Sequence, residues 1–210
     1  MPVEISDVST PFGVARVHFA AVDHPLALLV LGHGAGGGIG APDLVRVTEV
    51  ANREHVAVAL VEQPYRVTGR RAPAPARQLD GAWQAVVTEL RTRAIAPAIL
   101  VGGRSSGARV ACRTAADVGA VGVLCLAFPL SPPQRAPSRE RPNRLPELDA
   151  VSVPTLVVQG GRDPFGIPPE APGRTVVEVA GDHSLKADLD AVGEAVRHWL
   201  HRVKRRARQP

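Results

Sequence analysis

The chain is short of aromatic residues, cysteine and lysine, and each scarcity closes a class of function. One Tyr, two Trp and four Phe among 210 residues leave too few rings for the stacking platforms on which single-stranded nucleic acids are held. Lysine occurs only at Lys186 and Lys204, so arginine carries the basic charge, and its surplus is confined to one end. Arg202, Lys204, Arg205, Arg206 and Arg208 stand without an acid among residues 201–210 and account for the whole formal net charge of +5. Nucleic-acid-binding domains spread their basic residues over a face, so no nucleic-acid partner is expected, and residues 201–210 read as a solvated basic tail.

The two cysteines, Cys112 and Cys125, are too few for a disulfide scaffold and have no companions at metal-ligand spacing, so they read as buried thiols. Long hydrophobic runs are also lacking. The longest, residues 118–128, is bounded by Asp117 and Pro129, well short of the roughly 18 residues a spanning helix needs. The opening Met1-Pro2-Val3-Glu4-Ile5-Ser6-Asp7 has no basic region followed by an apolar stretch. A cytosolic location with no membrane partner is expected.

What is present is a full core. The chain is 45% hydrophobic, and at its length folding buries roughly 70% of the surface that the unfolded chain exposes. One domain over residues 1–200 is expected, followed by the tail. Residues 13–22 alternate partly in polarity, as a half-exposed edge strand does. Continuous apolar runs at 26–31, 56–61, 98–101, 121–126, 155–158 and 175–179 read as buried strands.

Helical periodicity fills most of the gaps. It appears at 42–54 behind Pro42, at 79–93 with Leu79, Trp83, Val86 and Leu90 on one face, and at 106–118 with a face of small residues. The last stretch is the most regular, with Leu185, Leu189, Val192, Val196, Trp199 and Val203 on one stripe. Residues 129–153, rich in proline, read as a long connection with a short helix near 145–148. Buried strands alternating with amphipathic helices predict a mostly parallel sheet in a three-layer α/β/α sandwich.

Two glycine-rich turns compete for the chemistry. Gly32-His33-Gly34-Ala35-Gly36-Gly37 satisfies G-x-G-x-x-G, with Glu62 at the end of the next strand, and so offers a dinucleotide-binding reading. Gly37, Gly38, Gly40 and Pro42 would break the helix that this reading requires at that point. The second turn, Gly103-Arg104-Ser105-Ser106-Gly107, is G-x-S-x-G between an apolar strand and a helical pattern. Ser105 is therefore the candidate nucleophile.

A serine hydroxyl needs a base to remove its proton, and the base needs an acid to hold its tautomer. Both types recur at strand ends. Asp163 follows the strand at 155–158, and His183 follows the strand at 175–179. Asp182 is a rival acid, disfavoured because adjacent residues do not easily aim their side chains at each other. The oxyanion hole needs one amide after the nucleophile, that of Ser106, and one from an earlier loop, for which Ala35 is the first choice and Gly36 the second. His33 is expected to brace that loop. Tyr65, Arg70 and Arg71, leaving the carboxyl end of a central strand, are expected to contact substrate, with the arginines suited to an anionic group.

With these residues in hand the chain resembles the α/β-hydrolase superfamily. More narrowly, it is similar to a small capless group related to dienelactone hydrolases, which also holds a testis-expressed protein and a subunit of a histone acetyltransferase complex. The resemblance rests on residues 32–37, Pro64-Tyr65 with Gly69-Arg70-Arg71, Gly102-Gly103-Arg104-Ser105, Phe128-Pro129-Leu130, Gln159-Gly160 with Asp163-Pro164-Phe165-Gly166, and Gly181-Asp182-His183-Ser184. Ser131 and Ser106 depart from it, standing where His and Met are usual in the group. The resemblance implies a hydrolase fold without a large cap and a Ser105–His183–Asp163 triad. The expected function is hydrolysis of a small ester or related acyl compound by a monomer or weak homodimer, with no cofactor and no metal. A non-catalytic, hydrolase-like binding or scaffold protein is the alternative.

Overall fold

The computed structural model describes residues 3–132 and 142–207, with backbone only for 205–207. Eight strands form one sheet in the order β1-β2-β4-β3-β5-β6-β7-β8. They are β1 (Val3–Thr10), β2 (Gly13–Ala20), β3 (Ala27–Gly32), β4 (Val56–Glu62), β5 (Ile99–Arg104), β6 (Val123–Leu126), β7 (Thr155–Gly160) and β8 (Arg174–Val179). Strand β2 alone runs against the others, pairing antiparallel with both β1 and β4. From β4 to β8 every pairing is parallel, and the three central strands β3, β5 and β6 are buried nearly throughout.

Two helices cover one face and three the other. Helices α1 (Pro42–Arg53) and α6 (Leu189–Ala207) pack with Leu29, Leu31, Leu124 and Trp199 in one core layer. Helices α3 (Ala76–Thr92), α4 (Ser106–Thr114) and α5 (Leu145–Asp149) pack with Val30, Trp83, Val101 and Phe128 in the other. Each layer holds one fully buried tryptophan, the largest single block of apolar surface a side chain can bring. A one-turn helix, α2 (Pro64–Val67), follows β4. The three-layer sandwich expected from the alternation of strands and helices is the observed architecture.

Four details differ from the expectation. The strand at 13–22 is not the edge: β1 lies outside it, paired in register from Val3↔Ala20 to Thr10↔Gly13. Only Val8 of β1 is buried, so its apolar pattern is too weak to read, although Pro11 and the turn at Gly13 (φ 110°) mark the hairpin. The last helix begins at Leu189 instead of Leu185. Leu185 is buried but sits at φ 53° in a turn, and Asp188 caps the helix by accepting from the Ala191 N–H. The end drawn at residue 200 falls inside α6, where Val203 is buried and Lys204 donates to Glu54. Finally, Cys112 and Cys125 are buried as expected, but they meet each other, with sulfurs 3.4 Å apart.

The longest connection, residues 127–154, contains α5 and no other helix or strand among its described residues. No helix of the described residues is long and apolar enough to cross a membrane.

Candidate active site

The site forms where the carboxyl ends of the parallel strands stop. Strand β5 turns directly into α4, and Ser105 sits at the corner with φ 52° and ψ −108°. A non-glycine residue in this region is strained, and here the crowding around it enforces the strain. A Cβ on Gly103 or on Gly107 would lie 2.5 and 2.4 Å from the Gly32 oxygen, inside contact distance. Glycine on both sides of the corner therefore lets β3, β5 and α4 close on one another. That closeness pushes the Ser105 side chain out of the turn.

Strands β7 and β8 bring up the other two residues. The Arg162 N–H donates to the Gly181 oxygen and the Gly161 N–H to that of Val179, zipping the two strand exits together. His183 Nε2 then stands 2.9 Å from Ser105 Oγ, and its Nδ1 stands 2.7 Å from Asp163 Oδ2. The Asp163 side chain has no exposed surface and accepts two further bonds, from Gln159 Nε2 (2.7 Å) and the Phe165 N–H (2.9 Å). A carboxylate surrounded by three donors accepts the Nδ1 proton of His183, which leaves the Nε2 lone pair for the serine hydroxyl. The Phe165 ring lies 4.3 Å from the His183 ring, tilted by 37°, and covers one of its faces.

Asp182, the rival acid, is turned away. It is exposed, and it accepts from the Ser184 N–H at 2.8 Å. The bonds from Ser184 hold its carboxyl below the ordinary aspartate range.

The glycine-rich loop after β3 reaches over the same corner. A Cβ on Gly34 would be 3.6 Å from that of Ser105. The Gly37 N–H donates to the Gly34 oxygen at 3.2 Å, closing a β-turn whose central residues are Ala35 and Gly36; such a turn leaves the N–H groups of its central residues unused. Ser106 opens α4, and the first N–H groups of a helix have no intrahelical acceptor. The dinucleotide reading fails at this loop, because α1 starts only at Pro42 and Gly37 is spent on the turn instead of opening a helix. Among the described residues, no group of three or more His, Cys, Asp and Glu side chains could hold a metal ion.

His33 braces the loop as expected. Its Nδ1 donates to the Gly34 oxygen (2.8 Å) and its Nε2 accepts from the Gln63 N–H (3.2 Å). Both bonds together need the neutral ring, and burial holds its pKa below the ordinary histidine value. Tyr65 serves the same loop: it is nearly buried, and its hydroxyl donates to the Ala35 oxygen at 2.9 Å. Arg70 lines a cavity of about 170 Å³ with Phe12, Gln63 and Tyr65, beside the loop instead of over Ser105. Arg71 is exposed.

Gln159 and Phe165 carry no role in the sequence reading beyond their place in a motif. An amide near the end of the apolar strand β7 is the one available signal for Gln159, which is fully buried and donates to Asp163 and to the Phe128 and Gly166 oxygens.

A family model of the alpha/beta hydrolase domain matches residues 25–209. No curated protein matches the chain. Among solved structures, Est1E from Butyrivibrio proteoclasticus is similar at 16% identity and a TM-score of 0.75, over 95% of this chain and 98% of that one. An α/β serine hydrolase without lid from Xanthomonas campestris is similar at 17% identity and a TM-score of 0.73, over 95% and 94%. A dienelactone hydrolase from Anabaena variabilis is similar at 16% identity and a TM-score of 0.73, over 96% and 97%. These likenesses show a shared fold, and the match over residues 25–209 leads to one conclusion: the chain belongs to the α/β-hydrolase family.

Proposed function

We propose that the protein is a serine esterase acting on small esters or related acyl compounds, with Ser105, His183 and Asp163 as its triad. The observation that carries the reading is the continuous hydrogen-bonded chain from Ser105 Oγ through His183 to a fully buried Asp163. A serine at a strained corner, within reach of an oriented imidazole, is the arrangement acyl transfer needs.

The reaction follows from this geometry. Ser105 Oγ attacks the carbonyl carbon while its proton passes to His183 Nε2. The imidazolium is stabilised by Asp163, which itself stays ionised. Negative charge gathers on the carbonyl oxygen and is met by the N–H groups of Ala35 and Ser106, with Gly36 beside them; Ser106 adds the positive end of the α4 dipole. The tetrahedral species collapses as the ester C–O bond breaks, and the leaving alkoxide takes the proton from His183. Water, deprotonated by the same Nε2, then attacks the acyl-serine, and the carboxylic acid departs as Ser105 recovers its proton. Tyr65 and His33 act through the backbone of the loop by holding the Ala35 and Gly34 carbonyls. Arg70 and Arg71 are assigned a weak bias toward esters with an anionic substituent, an interaction across solvent and therefore small.

The test is labelling with a fluorophosphonate, with hydrolysis of p-nitrophenyl acetate, butyrate and an anionic ester followed in parallel. Wild type is expected to be labelled once per chain. Ser105→Ala is expected to lose the label and at least about 10⁴-fold in kcat. A folded wild type that resists the label and hydrolyses none of the esters overturns the proposal.

A further inference from the structure

The position between Gly103 and Ser105 carries no requirement of its own in G-x-S-x-G, yet here it holds an arginine whose guanidinium makes an ion pair and a hydrogen bond inside the molecule. Arg104 closes β5, with its side chain 18% exposed. Its Nε lies 2.9 Å from Oδ2 of Asp43, a carboxylate with no exposed surface in the first turn of α1. Its Nη2 donates to the backbone oxygen of His183 at 2.8 Å. Its Nη1 underlies the oxyanion loop, where a Cβ on Gly34 would come within 3.2 Å of it. One planar cation thus bridges two segments that are remote in sequence, at residues 43 and 183, and lies beside a third at Gly34.

We infer that Arg104 is a positioning residue of the site: by holding the His183 carbonyl it sets the imidazole over Ser105, and by pairing with Asp43 it anchors that carbonyl to α1. The inference rests on the triad assigned above. Apart from the His183 side chain and the buried Leu185, the backbone of this segment has few ties. Gly181 stands at φ 110° and Leu185 at φ 53°, no helix or strand runs between them, and two backbone bonds tie it, Arg162 N–H to the Gly181 oxygen and Leu185 N–H to that of Asp182.

A guanidinium suits the task because its donors project from one rigid plane, so that the contacts to Asp43 and to His183 fix each other's direction. An ammonium gathers its donors on one rotating atom and does not hold two partners in a fixed plane. Asp43 also has reason to keep the pairing: burial pushes its carboxyl up from the ordinary aspartate range, and the Arg104 charge is the chief influence opposing that.

The experiment compares Arg104→Met, Arg104→Lys and Asp43→Asn in the full chain. It reads the rate of Ser105 phosphonylation, kcat and KM per titrated serine on p-nitrophenyl butyrate, and amide exchange of peptides covering residues 181–185 and 99–103. Displacing a reacting group by about 1 Å costs on the order of 10²-fold, so Arg104→Met is expected to slow phosphonylation and kcat roughly 10- to 100-fold with KM nearly unchanged. Arg104→Lys is expected to restore part of the loss. Arg104→Met combined with Asp43→Asn is expected to be no slower than Arg104→Met alone, because both remove one strut. Exchange is expected to quicken at 181–185 and to hold at 99–103.

A residue needed only for folding would reduce the number of titratable serines and quicken exchange in both peptides, with kcat per serine unchanged; that result overturns the inference. Should Arg104→Met not fold, Arg104→Lys and Asp43→Asn carry the same readouts. If the wild type itself is not phosphonylated, the triad reading fails, and exchange at 181–185 alone decides: unchanged exchange means that Arg104 does not hold the segment.

Discussion

Two glycine-rich turns meet at the carboxyl edge of the sheet and use glycine for opposite reasons. Around Ser105, glycine is there because nothing larger fits, since β3, β5 and α4 approach to where a methyl group would overlap the Gly32 carbonyl. Across the cleft the loop after β3 has a packed base and an open crest. Its base, Gly32 to Gly34, is buried. At its crest, a Cβ on Gly36, Gly38 or Gly40 would meet nothing within 4 Å. Glycine at the elbow makes room for backbone, whereas glycine at the crest borders open space. The first is a demand of packing and the second is not, so substitutions in the two turns should part company.

The largest contrast is expected from Gly107→Ala. A methyl group 2.4 Å from a backbone oxygen has no flexible neighbour to displace, and overpacking of this kind costs about 3 kcal/mol. Chemical denaturation should show the loss, and kcat should fall with it because Ser105 shares the corner. A Gly107→Ala chain as stable as wild type would remove the steric account of the elbow.

An intermediate effect is expected at the packed base of the loop. His33 must stay neutral to accept from the Gln63 N–H, and burial lowers its pKa from the ordinary 6.5. The unfolded chain therefore binds the proton more readily than the folded one. Stability tied to His33 is complete above about pH 6.5 and is lost as the pH falls from there toward the lowered folded value. Denaturation midpoints across this window should drop on acidification, and His33→Gln should flatten that drop while costing about 1 kcal/mol at neutral pH for a lost hydrogen bond. An unaltered pH dependence in His33→Gln would assign the acid sensitivity elsewhere.

The smallest change in stability, and the sharpest separation from Gly107, belongs to Gly36→Ala. Gly36 does not sit at positive φ, so alanine is tolerated and the unfolding free energy should hold or rise by up to about 1 kcal/mol. The methyl group then stands over the cleft, and kcat/KM should fall more for the butyrate ester than for the acetate. Equal loss on both esters would mean that the crest does not border the acyl group.

Much of this arrangement was legible in advance, for definable reasons. Continuous apolar runs marked the buried parallel strands because a strand covered on both faces leaves no polar alternation. Ser105, Asp163 and His183 could be singled out because each follows such a run. Strand β1 escaped because seven of its eight residues keep contact with solvent, so its apolar residues trace no clean period. The start of α6 was misplaced because Leu185 continues the helical spacing while belonging to a turn: its burial is real and its backbone is not helical. Tyr65 reads as a substrate contact because its segment leaves the right end of β4, and spacing does not report that its hydroxyl bonds the Ala35 oxygen.

The sequence by itself determined the layers of the fold, the order of the strands along the chain and the three residue types at strand ends. These are local properties, written in periodicity, glycine placement and the order of residues. Only the tertiary structure decided the rest. It placed His33, Tyr65, Gln159, Phe165 and Arg104 around the site, turned Asp182 away and spent Gly37 on a β-turn. Most of those outcomes are contacts between residues tens of positions apart or choices of side-chain direction; the Gln159–Asp163 bond and the Gly37 turn are local but leave no mark in the spacing. Such contacts are settled when strands β3, β5, β7 and β8 close to hydrogen-bonding distance or packing range and bury the groups between them.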